Sequence, residues 1–373
     1  MTVPTTKRIV VLVHRIFTPT GIKPGGIDYI SSFLENTGFE VTFIEHPLSG
    51  THNSRIKSGE KIREYKIPFA GAARWPVEIL FNVFKSLCCG KFNLIIAVDP
   101  LNFVSAYVVS LLRKTPVQFH AVDFSENRFG TKVLDVLYRK IYYFAISHAA
   151  FVTYVSKNMR NVVEPRVRDA NRAIFLPNSP DYERATRVDP QKKDRYELVY
   201  TKSNISESEI DMLVDLVLVL KERFPAIKVN VIGKAPIESQ KIISQHRLEK
   251  MILIHGLVDY QTNIQIMSQS YIGIAWYENV KSFEKYADSL KIREYAASGL
   301  PVVCNRNIST ALEAHEKGLL LLCENVKELA EGLERLILDT ELYSEMRSNA
   351  LGCAKENDKN GLLNNLYRWV GLM

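Results

Sequence analysis

The chain has 373 residues, which is more than a single hydrophobic core usually organises, so its length favours two domains. Hydrophobic residues make up 46% and charged residues 24%, as in a soluble globular protein, while the five cysteines show neither a disulfide framework nor a CxxC metal spacing and fit a reducing cytosol. The net charge of +7 suits nucleic acid, an anionic membrane or a phosphate-bearing substrate, but the Lys and Arg residues are scattered, which argues against nucleic acid.

Apolar strands alternate with amphipathic helices through the first half of the chain. Residues 8–14 (RIVVLVH) form a continuous apolar run, which is typical of a strand covered on both faces. A Gly-rich turn and a helix at 27–38 follow, and a polar loop is expected around 49–60. Further strands are predicted at 40–45, 93–99, 116–123, 149–156 and 172–181, with a helix near 76–88. This strand–helix–strand repetition predicts a doubly wound parallel sheet.

The segment 179–194 is rich in charge and proline and is predicted to link two domains. The alternation then restarts, with a long helix at 207–224. Its strands are predicted at 196–201, 227–233, 252–256, 271–277, 301–304 and 319–323. We therefore expect a Rossmann-like domain at 1–178, a second at 195–357, and a helix at 358–373 that crosses back to the first. In such proteins ligands bind at the carboxyl ends of the strands, here in a cleft between the domains.

No segment is predicted to span a membrane. The longest apolar stretch, 94–112, is divided by Asp99-Pro100 into a strand and a helix. No secretory signal precedes the first strand, which favours a cytoplasmic protein. Residues 74–92 (RWPVEILFNVFKSLCCGKF) mix apolar and aromatic residues with basic flanks. A helix of this kind could lie on an anionic bilayer, and a core helix is the alternative.

The stretch 286–303 (YADSLKIREYAASGLPVV) predicts a helix that is suited to an anion. Asp288 is a candidate N-cap for a helix beginning at Ser289, and the free N–H groups of that first turn, with Leu290, lie at the positive end of the helix dipole. Lys291 adds a full positive charge there. Glu294 lies on the same face and can accept two hydroxyl hydrogen bonds, as from a ribose. A surface helix with an ion pair is the alternative.

The rest of this stretch predicts how the helix packs and ends. Ile292, Tyr295 and Ala296 form an opposite stripe that can face the sheet. Gly299 ends the helix, and Pro301 prevents its continuation. The segment therefore offers a polar face to a nucleoside diphosphate and an apolar face to the protein.

This segment resembles the nucleotide-binding helix of GT-B glycosyltransferases, including the GT4-like group, in which a K-x-x-E-Y-x-A-x-G-x-P-V-V pattern is common. The layout of the whole chain is similar too, since it has two Rossmann-like halves, a Gly-rich first loop and a final crossing helix. The resemblance implies an α/β GT-B fold of two doubly wound domains that face each other across a cleft. Residues 287–291 (ADSLK) are most similar to the A-D-S-x-x-K pattern of bacterial exopolysaccharide glucuronosyltransferases, with one residue fewer before the lysine.

The sequence departs from the commonest retaining subgroup, which carries two Glu residues separated by seven positions. Glu294 matches the second of these, but Tyr286 occupies the position of the first. Glu278 and Glu284 lie nearby without the required spacing. Catalysis in the glucuronosyltransferase relatives is inverting, so both stereochemical outcomes stay open at this point.

The resemblance implies further contacts with the donor nucleotide. Tyr277 matches a tyrosine near the nucleotide in the glucuronosyltransferase relatives, with packing at the rim of the cleft as the alternative. Gly256 and Leu257 follow a strand and correspond to the loop that meets the nucleobase. Gly233 ends the preceding strand and is included with them.

Asp123 is the candidate general base. It follows the strand at 116–122 and should therefore lie at the carboxyl edge of the sheet. In related inverting enzymes an Asp after the equivalent strand takes the proton of the acceptor hydroxyl. An Asp that caps the next turn is the alternative, and Asp99 is the second candidate. His120 is expected in the core, and Arg128 could bind an acidic sugar or a phosphate.

The Gly-rich loop at 19–30 could contact a phosphate or the acceptor. Gly25 and Gly26 allow close approach of the backbone, and Lys23 supplies a positive charge. A plain helix-capping turn is an equal alternative.

Together these features predict a metal-independent glycosyltransferase of the hexosyl or glycuronosyl type, since no DxD, HExxH or Cys/His cluster is present. The expected donor is a UDP-linked sugar, and no other cofactor is expected. The expected acceptor is a hydroxyl of a glycan or lipid-linked intermediate in cell-surface polysaccharide or glycoconjugate synthesis. The protein would work in the cytoplasm, at the inner face of the membrane if it contacts lipid. A nucleotide-sugar epimerase and a non-catalytic nucleotide-sugar-binding protein are the alternatives.

Overall fold

The computed structural model describes residues 7–18, 21–22, 26–48, 53–67, 69, 71–278 and 284–372. The chain divides into two compact units. Unit 1 comprises Met1–Pro177 together with Leu362–Met373, and unit 2 comprises Asn178–Gly361.

Unit 1 is built on an eight-stranded sheet with the order β10-β9-β8-β7-β1-β4-β5-β6. The strands of this sheet are β1 (Arg8–Arg15), β4 (Glu40–Pro47), β5 (Ser54–Ser58), β6 (Lys61–Tyr65), β7 (Leu94–Val98), β8 (Val117–Ala121), β9 (Phe151–Tyr154) and β10 (Ala173–Phe175). Strands β2 (Phe17–Thr18) and β3 (Gly21–Ile22) form a separate antiparallel pair. The helices are α1 (Gly26–Asn36), α2 (Trp75–Cys88), α3 (Pro100–Arg113), α4 (Lys132–His148) and α5 (Lys157–Val163). From β10 to β4 all pairs are parallel, so the carboxyl ends of these strands share one edge.

The expected polar loop around 49–60 is wrong in its second part. Strands β5 and β6 form an antiparallel hairpin there that extends the sheet beyond β4. Gly59, in a left-handed conformation (φ +55°), forms the two-residue turn together with Glu60. Ile56 and Ile62 are the only large apolar residues of these edge strands, so their sequence lacks the alternation that predicts a strand.

Unit 2 contains a six-stranded parallel sheet with the order β13-β12-β11-β14-β15-β16. Its strands are β11 (Glu197–Asn204), β12 (Lys228–Lys234), β13 (Ile252–Gly256), β14 (Ile272–Ala275), β15 (Val302–Asn305) and β16 (Leu320–Cys323). Its helices are α6 (Glu207–Lys221), α7 (Ser239–Gln245), α8 (Tyr260–Gln269), α9 (Leu290–Ala297), α10 (Ser309–Glu316), α11 (Val326–Leu338) and α12 (Thr340–Glu356). This is the 3-2-1-4-5-6 order of a Rossmann sheet, whose ligand crevice lies at the carboxyl ends of the first and fourth strands, here β11 and β14. The predicted α/β class with parallel sheets is confirmed.

The segment 179–194 lies within unit 2 and is tied to it by hydrogen bonds. Arg187 Nε donates to the carbonyl of Ala297 (3.1 Å), and Lys193 Nζ donates to the carbonyl of Ser270 (2.8 Å). The last helix, α13 (Lys359–Trp369), packs in the core of unit 1. Its Tyr367 is fully buried.

Candidate functional site

Helix α9 begins one residue later than the sequence predicts. Its N-cap is Ser289, whose hydroxyl accepts from the Ile292 N–H (3.5 Å), and not Asp288. The carboxylate of Asp288 is instead held by Arg293 Nε (2.8 Å) and Thr310 Oγ1 (2.9 Å). Because these buried partners draw the carboxylate away from the helix end, Asp288 fixes the loop before α9 and does not cap it.

The end and the inner face of α9 agree with the sequence. Gly299 (φ +67°) closes a Schellman motif, in which its own N–H donates to the carbonyl of Ala296 and the Leu300 N–H donates to the carbonyl of Tyr295, both at 2.9 Å. Ile292 and Tyr295, together with Ala296, are buried against the sheet.

Tyr295 fixes α9 at the point where β11 and β14 diverge. Its hydroxyl accepts from the Thr201 N–H (2.9 Å) and donates to the carbonyl of Ile274 (3.2 Å), so it bridges the two strands. A Cβ on Gly273 would lie 2.8 Å from the Tyr295 ring, which explains why this strand carries a glycine. The polar face of α9 is therefore placed at the ligand crevice of the Rossmann sheet.

Lys291 carries a positive charge that the described residues do not neutralise. Its ammonium lies 5.0 Å from the centroid of the Tyr277 ring, and it makes no hydrogen bond or ion pair among the described residues. Burial and the nearby charge of Lys202 lower the pKa of Lys291 to about 8. An anion placed here would relieve both effects.

Glu294 is a buried carboxyl group on the same helix. It is 6% exposed and makes no side-chain hydrogen bond in the part of the chain that the structure describes. Burial raises the pKa of Glu294 to about 7, although Lys291 acts in the opposite direction. A buried carboxyl without donors is unfavourable, so this position favours a ligand that brings hydroxyl groups.

Tyr277 is held firmly beside the start of α9. Its hydroxyl lies 2.5 Å from Ser289 Oγ, its backbone N–H donates to Asn305 Oδ1 (3.0 Å), and its carbonyl accepts from Asn305 Nδ2 (2.9 Å). Asn305 and Lys202 were not predicted as site residues, although both are polar residues at the carboxyl ends of apolar strands, which is the signal that singled out Asp123.

Gly256 and Leu257 line a cavity of about 540 Å³ at the ends of β12 and β13. Leu257 is 70% exposed, and Lys234 contributes a charged wall. Gly233 has a packing role, because a Cβ there would lie 1.6 Å from the carbonyl oxygen of Lys202. This glycine allows the end of β11 to lie against β12.

Glu278 follows β14 in the chain and contacts the first turn of α6. It accepts hydrogen bonds from Trp276 Nε1 (2.9 Å) and Ser208 Oγ (2.6 Å). Glu278, one of the two nearby glutamates without the required spacing, is therefore already bonded within unit 2.

In unit 1, Asp123 and Arg128 follow β8 and form an ion pair of 3.0 Å. Both side chains are about one quarter exposed, at 27% and 24%. The Tyr142 hydroxyl donates to the carbonyl of Asp123 (2.8 Å), and the guanidinium of Arg128 lies 5.2 Å from the centroid of the Tyr138 ring. Burial alone would lower the pKa of Arg128, but Tyr138 and Asp123 raise it above its ordinary value.

Asp99, the second candidate for the base, lies in a buried charge cluster. It has φ +82°, a strained value for a non-glycine residue, and it caps α3 by accepting from the Asn102 N–H (2.9 Å). His14 donates from Nδ1 to Asp99 (2.7 Å) and lies 3.2 Å from Glu78 through Nε2. Burial would lower the pKa of His14, but the two carboxylates raise it to about 10, so the ring is an imidazolium.

The remaining histidines of this sheet are neutral and structural. Burial and the charge of His14 lower the pKa of His46 to about 4, and its Nε2 lies 2.8 Å from Asn82 Oδ1. His120 is buried against Thr153 (2.9 Å), and burial lowers its pKa to about 4. The expectation of a core histidine at 120 is confirmed.

The Gly-rich loop is only partly described. Lys23 and Gly25 lie outside the described residues, while Gly26 is the first residue of α1. Among the described residues, no three His, Cys, Asp or Glu side chains are grouped as a metal ion would require. Every helix in the described ranges is too short or too polar to cross a bilayer.

Residues 181–352, nearly all of unit 2, match the family model described as "Glycosyl transferases group 1". Unit 2 is therefore similar to the group 1 glycosyltransferase domains. One component of the human phosphatidylinositol N-acetylglucosaminyltransferase is 24% identical over 229 residues. That match covers 60% of this chain and 43% of the relative, so the chain spans less than half the length of the curated protein it matches.

Solved structures show the fold of the whole chain. Sucrose-phosphate synthase from Thermosynechococcus elongatus is 12% identical with a TM-score of 0.69, covering 98% of this chain and 99% of that one. HepE from Anabaena, solved with UDP and glucose, is 14% identical with a TM-score of 0.65, covering 98% and 100%. The chain therefore has the GT-B fold, as the resemblance implied.

Proposed function

We propose that this GT-B chain transfers a hexosyl or glycuronosyl group from a UDP-linked sugar to a hydroxyl of a glycan or lipid-linked acceptor, in cell-surface polysaccharide or glycoconjugate synthesis. The observation that carries the proposal is the pair formed by Lys291 and Glu294. Both charges lie on α9 beside the ligand crevice of unit 2, and neither is hydrogen-bonded among the described residues. A nucleoside diphosphate supplies what each lacks, an anion for Lys291 and ribose hydroxyls for Glu294.

The donor would bind along the carboxyl edge of the unit 2 sheet. The diphosphate lies at the start of α9, where Ser289 and Leu290 present the positive end of the helix. The nucleobase occupies the cavity beside Gly256 and Leu257, and Tyr277 positions Lys291. Gly233 shapes this edge by packing.

The leaving diphosphate would be neutralised without a metal ion. The ammonium of Lys291 and the dipole of α9 stand where its charge develops, and Lys202, which is ion-paired with Glu209, lies nearby. Uridine is favoured because the HepE structure contains UDP. Unit 2 therefore acts as the nucleotide-sugar unit.

The acceptor would bind to unit 1, with Asp123 as general base. Its carboxylate takes the proton of the attacking hydroxyl, and Arg128 orients it at 3.0 Å and attracts a negative group of the acceptor. The loop with Lys23, Gly25 and Gly26 completes this proposed acceptor site. An inverting transfer, as in the glucuronosyltransferases that the sequence resembles, uses such a base directly.

The protein would work in the cytoplasm, in peripheral contact with the inner face of the membrane. The support is α2, which carries exposed Leu80 and Phe84 beside Lys85.

Binding of nucleotides and consumption of donors test the proposal. UDP should raise the unfolding temperature more than ADP or GDP, and a panel of UDP-sugars should identify one that releases UDP. Lys291→Ala should weaken UDP binding at least about tenfold, because a charge-assisted contact is lost. Lys327→Ala is the matched control, since Lys327 is an exposed lysine at the start of α11. Stabilisation by no nucleotide would refute the proposal, and interconversion of the sugar without release of UDP would replace transfer by epimerisation.

A further inference from the structure

Helix α2 of unit 1 buries a polar face and exposes an apolar one, the reverse of an ordinary amphipathic helix. Its fully buried residues are polar, with Glu78, Asn82 and Ser86 at most 3% exposed, while Leu80 is 70% and Phe84 61% exposed. These three residues follow each other at intervals of four, and Glu78 and Asn82 reach the charge cluster around His14 and His46. The apolar side of α2 is therefore left on the outside of the unit.

The neighbouring helices α3 and α4 continue this outer apolar surface. Exposed apolar side chains on these two helices are Val108, Leu111, Leu112, Val133 and Leu137. The acidic residues of the three helices, Glu78 and Asp135, are both buried. The exposed or half-exposed Lys and Arg residues on the three helices are Lys85, Arg113, Lys132, Arg139 and Lys140. The surface therefore combines apolar contact area with positive charge only.

A cavity of about 290 Å³ lies between α2, α3 and α4. Its lining is apolar and includes Trp75, Ile79, Leu101, Leu134, Leu137 and Tyr138. An apolar cavity of about 150 Å³ can hold a benzene ring, and pockets for small ligands begin at roughly 300 Å³. The space therefore suits a chain of several methylene groups.

Tyr138 joins this cavity to the proposed acceptor site. It lines the cavity, and the guanidinium of Arg128 lies 5.2 Å from its ring centroid while pairing with Asp123. The Tyr138 hydroxyl is buried and has no hydrogen-bond partner among the described residues. A polar group at the end of a bound chain could pair with it, which an empty apolar cavity cannot do.

We propose that this cavity holds a hydrocarbon chain of the acceptor, so that the acceptor is an anionic lipid whose head group lies at Asp123 and Arg128. The proposal rests on the proposed function and narrows its acceptor from a glycan or a lipid-linked intermediate to the lipid. The apolar lining receives the chain, the adjacent Arg128 attracts the negative head group, and the basic outer surface attracts lipids of the same charge.

The fluorescence of Trp75 allows a direct test, because this residue lines the cavity. The chain has three tryptophans, so replacing Trp276 and Trp369 by Phe leaves Trp75 as the only one. The probe is dodecyl phosphate brominated at its terminal carbons, which quenches tryptophan on contact, used as monomers without vesicles. We expect saturable quenching.

A matched pair of variants in that background locates the probe. Leu137→Gln places an amide in the lining and should weaken binding about fivefold, since roughly half of a leucine side chain loses its apolar contact. Leu80→Gln makes the same change on an exposed leucine of α2 that does not line the cavity, and should change binding less than twofold.

Three outcomes would overturn the inference: no saturable quenching, equal effects of the two variants, or quenching only when brominated lipids form vesicles, which would indicate adsorption to a bilayer. UDP binding measured on the same preparation separates this inference from the proposed function. If UDP binds and the donor is consumed but the probe does not bind, the lipid site alone is refuted. If the probe binds saturably and no nucleotide does, the cavity stands as a chain-binding site and the transferase proposal falls.

Discussion

Helices α9 and α2 both bury charged residues near the carboxyl edge of a parallel sheet, but they treat those charges differently. On α9, Lys291 and Glu294 make no hydrogen bond among the described residues. On α2, Glu78 is paired with Arg74 (2.5 Å) and His14 (3.2 Å). A buried charge that is paired within the protein stabilises the fold. A buried charge without a partner lowers stability until a bound ligand provides the partner. We therefore infer that the buried charges of α9 serve ligand binding, whereas the buried charge of Glu78 on α2 supports the structure.

Asp123 is an exception to this contrast between paired and unpaired charges, because it is paired with Arg128 and we nevertheless propose a catalytic role for it. We expect Asp123→Asn to lower kcat by roughly 10²- to 10⁴-fold, since the amide cannot accept the proton of the acceptor hydroxyl. UDP affinity should stay within twofold of wild type, because the donor residues belong to unit 2. The measurement is steady-state transfer together with UDP titration. If the Asn variant keeps full activity, Asp123 is not the base and its ion pair is structural.

Glu78→Gln tests whether the paired carboxylate on α2 stabilises the fold. Although burial acts to raise it, the hydrogen bond with His14, the charge of His14 and the hydrogen bond with Arg74 hold the pKa of Glu78 below its usual value. A group with a lowered pKa contributes stability above its unfolded pKa, and that contribution is lost as the pH falls. The variant should therefore lose about 3 kcal/mol of unfolding free energy at pH 8, measured by urea denaturation. Glu331→Gln, on the exposed face of α11, is the control and should change little.

The sequence predicted α9 better than α2 for a physical reason. Lys291, Glu294 and Gly299 act within a few residues of each other, so their spacing carries the information. The capping role predicted for Asp288 is wrong because its carboxylate binds Thr310, which lies 22 residues away. Nothing in the local sequence indicates that bond. On α2 the same difficulty is greater, since Glu78 meets His14 across 64 residues.

Neither interpretation of residues 74–92 anticipated the polar buried face of α2. A hydrophobic helix is normally assigned a buried apolar face, and here the buried face is polar because His14 and His46 from β1 and β4 require partners. Only the assembled sheet reveals that requirement. The hairpin of β5 and β6 escaped prediction for the related reason that edge strands need not be apolar on either face.

Glu294→Gln should increase the stability of the protein, whereas Glu78→Gln should decrease it. The pKa of Glu294 is raised from its ordinary value to about 7, so between these values the folded protein holds a proton that the unfolded chain releases. Stability therefore falls as the pH rises through this range, and the full cost is present above pH 7. Removing the acid should increase the unfolding free energy by about 2–3 kcal/mol at pH 8 and leave it unchanged at pH 4.

The same variant should bind UDP about tenfold more weakly, because a neutral amide accepts hydroxyl hydrogen bonds less strongly than a carboxylate. A variant with higher stability and lower UDP affinity is expected when the replaced residue binds a ligand and has no partner in the free protein. A variant that is less stable at pH 8 would show that Glu294 has a partner in the free protein, and the contrast with Glu78 would disappear.

The pH dependence of UDP binding gives the smallest and most specific effect. Burial and Lys202 lower the pKa of Lys291 to about 8, so the free protein loses this charge as the pH rises above 8. UDP affinity should therefore fall by about fivefold between pH 8 and pH 9, since binding must then include protonation of the amine. Lys291→Arg should bind UDP with little change over this range, because a guanidinium stays charged. Titration calorimetry in buffers of different ionisation enthalpy would detect the proton taken up with UDP. If wild type and Lys291→Arg show the same pH profile, the falling affinity belongs to another group, and the ammonium of Lys291 does not hold the diphosphate.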